Sequence, residues 1–251
     1  MAGKMRADEL ALALGLATTR SQAQALIMAG RVLRGEDNPV RKAGEMIPEG
    51  TILRLTPGKP YASRGGEKLA GALDDLGIDP SGLRCLDLGA STGGFTDCLL
   101  KRGAGNVTAV DVGKGLLSPA LRDDPRVRLL EGVNARKLGD LDPERDLGAP
   151  FGLATLDLSF ISLALVLPAV APLMAEGGLM LPMVKPQFEV GKGEVGKGGV
   201  VRDPALIEAS VEKIRALAKG LAPPFKATGT AASRLKGPMG NQEVFLLLER
   251  L

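Results

Sequence analysis

The sequence contains no histidine, and that one absence removes the commonest general base and the commonest nitrogen ligand for a metal ion. Any general base has to be a Lys, Asp, Glu, Tyr or Cys side chain. There are two cysteines, Cys85 in an apolar run and Cys98 in an expected helix. Without histidine they do not make a zinc site. Both read as core thiols, and no metal is expected. Aromatic residues make up 3 % of the chain, so any ring-stacking surface rests on few positions. Long apolar runs are missing too. The run at 163–170 is far shorter than the roughly 20 residues that a bilayer span needs. Residues 1–9 lack the apolar core of a signal peptide. No membrane partner is expected, and the cytoplasm is the expected compartment.

What is present suits one domain of good size with a small one ahead of it: 251 residues, 45 % hydrophobic and 24 % charged. The net charge of +3 is unevenly placed. Residues 1–60 hold nine Lys and Arg against six Asp and Glu, and the remainder holds twenty-three of each. All of the positive excess therefore lies in the first quarter, a placement that suits a polyanionic partner. Thr56-Pro57-Gly58-Lys59-Pro60 marks a break, which divides the chain into domains at 1–58 and 59–251.

In the first segment, Leu10 and Leu14 at i and i+4 predict a helix over 6–14. Thr18 or Thr19 caps a second helix over 21–29, which Gly30 ends. Residues 31–33 and 51–55 read as short strands. The marks Arg6-x-Asp8, Gly15-Leu16, Thr19-Arg20-x-x-Ala23, Leu26-Ile27-x-x-Gly30-x-Val32 and Gly44…Gly50-Thr51-Ile52 resemble the small α+β RNA-binding module of bacterial ribosomal protein S-four. Pseudouridine synthases and tyrosyl-tRNA synthetases carry the same module. The resemblance implies that Arg6, Arg20, Arg31 and Lys42 face RNA, and Arg64 just beyond the break is grouped with them. It departs at 33–39, where the module usually has a Val-Asn-Gly turn.

From about Tyr61 the pattern alternates strands and helices. Strands are expected at 84–88, 107–110, 127–131, 152–156 and 178–184, and helices at 67–76, 95–102, 163–174 and 204–221. Such alternation predicts an α/β Rossmann-like fold with a parallel sheet and right-handed crossovers. Two final strands, 226–231 and 243–248, have no helix between them and predict an antiparallel terminal hairpin.

The most informative stretch is Leu86-Asp87-Leu88-Gly89-Ala90-Ser91-Thr92-Gly93-Gly94-Phe95, an apolar strand running into a Gly-rich turn that opens a helix. Such a turn lets backbone approach a ligand closely and offers a helix N-terminus. Asp111 follows 22 residues after Gly89 at the end of the next strand, where an acid holds ribose hydroxyls. The middle glycine of the dinucleotide pattern is replaced by Ser91, and Asp87 is a poor neighbour for a pyrophosphate. An acid there suits an amino group, and the ligand that combines ribose, carboxylate and ammonium is S-adenosylmethionine. A methyltransferase therefore outweighs a dehydrogenase. Gly89, Ala90, Ser91, Gly93, Asp111 and Asp87 are the expected cofactor contacts, with Asn134 after the third strand reaching an adenine edge and Asp157 at the end of the fourth.

The acceptor atom is narrowed by what the strand ends carry. Leu156-Asp157-Leu158-Ser159-Phe160 lacks the Asn/Asp-Pro-Pro-aromatic tetrad of many amine methylators, and neither cysteine is placed to attack a pyrimidine carbon. A ribose hydroxyl needs its proton removed as the methyl arrives, and a lysine tuned by a carboxylate can do that. Lys68, Asp157, Lys185 and Glu243 form such a set, with either lysine open as the base. Their order resembles the tetrad of FtsJ-like ribose methyltransferases, and the resemblance implies these four as the catalytic set with Lys185 as the base. Together with the first module and the segments SRGGEKL, LDLGASTGGFTDCLL, LDLSFISL and VKPQFEVGK, the chain resembles the TlyA family of ribosomal RNA methyltransferases. That resemblance implies 2′-O-methylation of cytidine, S-adenosylmethionine as cofactor, and ribosomal RNA or ribosomal subunits as partner. Tyr61, Phe160 and Phe188 are the candidates for stacking on a base. An RNA-binding regulator built on an inactive methyltransferase fold is the alternative; loss of the lysines or of the turn would mark it, and both are intact.

Overall fold

Residues 85–88 have no polar face: Cys85, Leu86, Asp87 and Leu88 are all buried, the pattern of a strand covered by helices on both sides. The computed structural model describes residues 3–58 and 60–251, so Lys59 of the expected break lies outside it. The chain divides into two compact units between Pro60 and Tyr61.

The first unit is a small α+β body. It runs β1 (Lys4–Arg6), α1 (Ala7–Ala13), α2 (Arg20–Met28), β2 (Val32–Arg34), β3 (Asn38–Pro39), β4 (Met46–Pro48) and β5 (Leu53–Leu55). β2 pairs antiparallel with β3 and β5, and β1 pairs antiparallel with β4. The Thr19 hydroxyl accepts the Gln22 N–H and caps α2. Ala7, Leu10, Ala23, Ile27, Val32, Ile47 and Leu53 form the core. Arg6 closes a strand instead of opening the first helix. β1, β3 and β4 were not expected, because two- and three-residue strands carry no readable alternation.

The second unit begins with α3 (Arg64–Leu76) and continues β6 (Arg84–Leu88), α4 (Gly94–Lys101), β7 (Asn106–Asp111), α5 (Pro119–Arg122), β8 (Val127–Glu131) and β9 (Phe151–Leu156). Then come α6 (Leu167–Val170), β10 (Met174–Val184), α7 (Pro186–Glu189), α8 (Pro204–Lys219), β11 (Phe225–Ala232) and β12 (Val244–Arg250). The strand order is β11-β12-β10-β9-β6-β7-β8. β10, β9, β6, β7 and β8 are parallel, and β12 runs antiparallel to both β10 and β11. The chain builds outward from β6 through β8, then returns to β9 on the other side of β6. That reversal opens a crevice at the carboxyl ends of β6 and β9.

Each sheet face has its own core. Leu69, Leu73, Phe95, Leu99 and Phe245 pack α3 and α4 onto one. Leu86, Leu156, Ile214, Phe225 and Leu248 pack α8 and residues 163–173 onto the other. The expected helix over 163–174 is broken. Only Leu167–Val170 is α-helical, between short 3₁₀ turns at Leu163–Leu165 and Ala171–Leu173. Pro168 and Pro172 explain this, since each lacks the N–H that a continuous helix would use. Met174 already belongs to β10, which is longer than expected and irregular between Met174 and Leu179. Among the described residues no helix is long and apolar enough to cross a membrane.

Candidate functional site

The turn after β6 is pinned to the neighbouring strand, with Gly89 and Ala90 both donating their N–H groups to the Val110 carbonyl at 2.9 and 3.2 Å. Gly89 has φ +86°, and a Cβ there would lie 2.5 Å from the Asp157 carbonyl oxygen. Only glycine lets the turn and the end of β9 meet so closely. Asp111 ends β7 and ties two loops together: Oδ2 accepts the Ser91 N–H at 2.8 Å and Oδ1 accepts the Gly113 N–H at 2.7 Å.

These elements enclose an open cleft of about 410 Å³. Gly89, Ser91, Asp111, Asn134, Asp157 and Ser159 line it, with Val112, Leu116, Val133, Leu158, Phe160 and Ile161 supplying apolar wall. Neither Lys nor Arg is among the lining residues, and two carboxylates are. Asn134 also caps the turn after it, its Oδ1 accepting the Arg136 N–H at 3.0 Å. Ala90 and Gly93 support the turn without lining the cleft.

Asp87 is placed differently from its expected contact with a ligand amino group. Its carboxyl is fully buried behind the turn, accepting hydrogen bonds from Thr96 Oγ1 at 2.6 Å and Thr155 Oγ1 at 3.3 Å. It ties α4 and β9 to β6 and does not line the cleft. Burial pushes this carboxyl up to about 7, with the Asp157 charge adding to the rise and the Thr96 hydrogen bond opposing it. The folded chain therefore binds more protons here than the unfolded chain between the ordinary carboxylate range and about pH 7. Stability falls as pH rises through that window and is level above it, by up to roughly 4 kcal/mol. Melting curves from pH 4.5 to 8 should show this slope in the native protein. Asp87→Asn should remove it; an unchanged slope would assign it to other groups.

The expected lysines and carboxylates come together two by two. Lys68 on α3 donates to Glu243 Oε2 at 2.5 Å, with the two residues 8 % and 1 % exposed. Lys185 at the end of β10 lies 2.6 Å from Asp157 Oδ1 and donates to Ser159 Oγ at 3.0 Å. Val184 pairs with Val244 across the β10–β12 ladder, which brings Lys185 and Glu243 to the same end of the sheet. Asp157 continues the adjacent β9 and joins the second pair to the cleft wall. Ser159 was not among the expected site residues; its signal was its place two residues after Asp157 in the same strand-end loop.

Phe160 is 91 % exposed on the cleft rim, holds a positive φ of +64°, and leans on Phe188 with ring centroids 5.3 Å apart. A left-handed aromatic residue is unusual and is retained where the surroundings fix it. Tyr61 lies elsewhere, under the Lys101 ammonium.

The expected RNA-facing arginines are less free than the sequence implies. Arg6 and Arg20 both pair with buried Asp8, at 3.0 and 3.2 Å, and Gln24 Nε2 donates to the same carboxylate at 2.8 Å. These partners hold the Asp8 carboxyl well below the usual carboxylate range. Arg31 donates to the Thr56 carbonyl at 3.2 Å. Lys42 is exposed, and Arg64, also exposed, reaches the Lys236 carbonyl only at the limit of 3.5 Å.

Comparison with known proteins agrees with this architecture. The model of the FtsJ-like methyltransferase family matches residues 61–250, and that of the S4 domain matches residues 5–51. The chain is 47 % identical over 250 residues to the 16S/23S rRNA (cytidine-2′-O)-methyltransferase TlyA of Mycobacterium tuberculosis, covering 99 % of this chain and 91 % of that one. It is 38 % identical to Hemolysin A of Brachyspira hyodysenteriae, covering 95 % and 97 %. A solved Streptococcus thermophilus protein carrying a hemolysin name superposes with a TM-score of 0.72 at 40 % identity, covering 100 % of this chain and 90 % of that one.

Proposed function

The chain belongs to the TlyA family of FtsJ-like methyltransferases, and from that premise we propose that it methylates the ribose 2′-hydroxyl of a cytidine in ribosomal RNA, with S-adenosylmethionine as methyl donor. The observation that carries the reading is the Lys185–Asp157 pair at the end of β10, joined through Asp157 to the cleft that Gly89 and Asp111 line.

The cleft fits this cofactor. Asp111 offers a carboxylate to a ribose diol, Asn134 an amide to a base edge, and Val112, Leu116 and Val133 an apolar slot for an adenine. Asp111, with no ion-pair partner among the described residues, and a lining without Lys or Arg favour a ligand with cationic sulfonium and ammonium groups. A pyrophosphate would meet repulsion there. When bound, S-adenosylmethionine supplies an electrophilic methyl group on that sulfonium.

The remaining work falls to the chain's own side chains. Asp157 and Ser159, which both line the cleft, hold Lys185 Nζ. To act as the base Lys185 must first release its own ammonium proton; its nitrogen then takes the 2′-hydroxyl proton as the oxygen gains its methyl, and Asp157 stabilises the ammonium that results. The Lys68–Glu243 pair at the same end of the sheet orients the ribose. Cytidine must be turned out of its RNA stack to enter, and Phe160 offers it a ring. Lys42, Arg64 and the outward edges of Arg6 and Arg20 provide salt-sensitive phosphate contacts.

Transfer of labelled methyl from S-adenosylmethionine to purified ribosomal subunits tests the reading. Label in RNA, at a position resistant to alkaline cleavage, supports it; no label on any subunit despite tight cofactor binding sinks it. Phe160→Ala should lower kcat/KM for RNA by about 5- to 150-fold, the loss of one base-stacking contact. Calorimetry should find cofactor affinity unchanged; a parallel loss of cofactor affinity would move Phe160 into the cofactor site.

A further inference from the structure

The loop that carries Asp157, Ser159 and Phe160 has a second anchor, and no part of the proposed chemistry uses it. Glu189 ends α7, the short helix that Lys185 begins. Its carboxylate is buried, yet it is fully engaged. Ser162 Oγ donates to Oε2 at 2.6 Å and the Leu163 N–H donates to Oε1 at 2.7 Å. Lys213 Nζ, from α8, donates to Oε2 at 3.3 Å and to the Glu189 carbonyl at 2.7 Å. Loop and helix are thus stapled at both ends. Lys185 grips Asp157 and Ser159 at one end, and Glu189 grips Ser162 and Leu163 at the other. Between the staples lies Phe160, held at its left-handed φ against Phe188, the residue before Glu189.

We propose that Glu189 is a positioning residue: it fixes the 157–163 loop against α7 and thereby sets Lys185 and the Phe160 ring for the substrate nucleotide. The physical case is one of degrees of freedom. A loop carrying a strained residue keeps one geometry only where its surroundings over-determine it. Lys185 Nζ alone is the end of a long flexible stem and is a poor anchor. A buried carboxylate that accepts a backbone N–H, a hydroxyl and an ammonium is directional and costly to release. The cleft residues Gly89, Asp111 and Asn134 sit on other elements, while residues 157–161 of the stapled loop line the same cleft.

The proposal rests on the RNA methyltransferase reading for its kinetic arm and not for its physical arm. Glu189→Ala should lower kcat by about 10- to 100-fold through misplacement of the reacting groups, with a smaller change in cofactor affinity by calorimetry, since Gly89, Asp111 and Asn134 keep their places. Glu189→Gln should restore most of the rate, because an amide oxygen still accepts the Leu163 N–H. A role limited to holding the fold together would lower melting temperature and folded yield while leaving kcat per folded molecule intact, and that outcome overturns the proposal. The physical arm uses the absence of tryptophan from the sequence. Phe160→Trp places a single reporter on the loop. Its fluorescence anisotropy should fall when Glu189→Ala is added, and fall less with Ser162→Ala, which removes one donor and serves if the first variant fails to fold. Unchanged anisotropy in both overturns the proposal. If the wild type methylates no RNA, the functional reading fails, and the anisotropy still decides the role of Glu189.

Discussion

Lys185→Ala loses methyl transfer by about 10²- to 10⁴-fold, the usual contribution of a positioned proton acceptor, while the protein remains folded and binds its cofactor. Lys185 is 7 % exposed and meets only polar partners at its tip, Asp157 and Ser159. Removing it leaves Asp157 with access to the cleft and to water, so the carboxylate is not stranded. The cofactor contacts after β6, β7 and β8 survive the change, and Asp157 after β9 stays in the cleft wall. Single-turnover rates with saturating cofactor, compared with calorimetric affinity, separate the two effects. A variant that keeps its rate within a factor of three would remove Lys185 from the chemistry.

The largest effect on stability is expected at the other pair. The two lysines are alike in burial, but the Glu243 side chain is 2 % exposed against 24 % for Asp157. Glu243→Ala leaves an ammonium in the interior with no counter-charge, at a cost of about 3–5 kcal/mol. For a chain of this size that is a fall in melting temperature of roughly 6–20 °C. Lys68→Met combined with Glu243→Leu removes both charges and should regain most of that loss, because apolar side chains of similar volume replace a buried pair well. Activity should not return with stability. Equal melting temperatures for the single and double variants would show that the unpaired charge is not the cause.

The parallel sheet was legible because its strands are buried on both faces and read as apolar runs, as 84–88 and 178–184 do. The cleft was legible because a glycine turn and Asp111 keep a spacing that the β6–β7 ladder imposes. Misreadings arose where several residues compete for one feature. Residues 163–174 are apolar enough for a helix, but Pro168 and Pro172 each remove a donor, and the chain breaks into short turns. Asp87 sits in a ligand-facing motif, yet the alternation of a strand turns it inward, where Thr96 and Thr155 receive it. The outward reading of Arg6 and Arg20 is not among these: the fold brings both onto Asp8, yet their side chains stay 38 % and 49 % exposed. The partners of Ser159 and Glu189 were out of reach in the sequence: they lie 24 or more residues away in the chain.

The central claim is that this site methylates a ribose oxygen and not a base. The most direct measurement digests RNA from a reaction with labelled S-adenosylmethionine to single nucleosides and identifies which one carries the label. The account expects 2′-O-methylcytidine, absent when Lys185→Ala is used. Label in a base-methylated nucleoside would contradict it, because the Lys185–Asp157 pair would then serve a different acceptor atom.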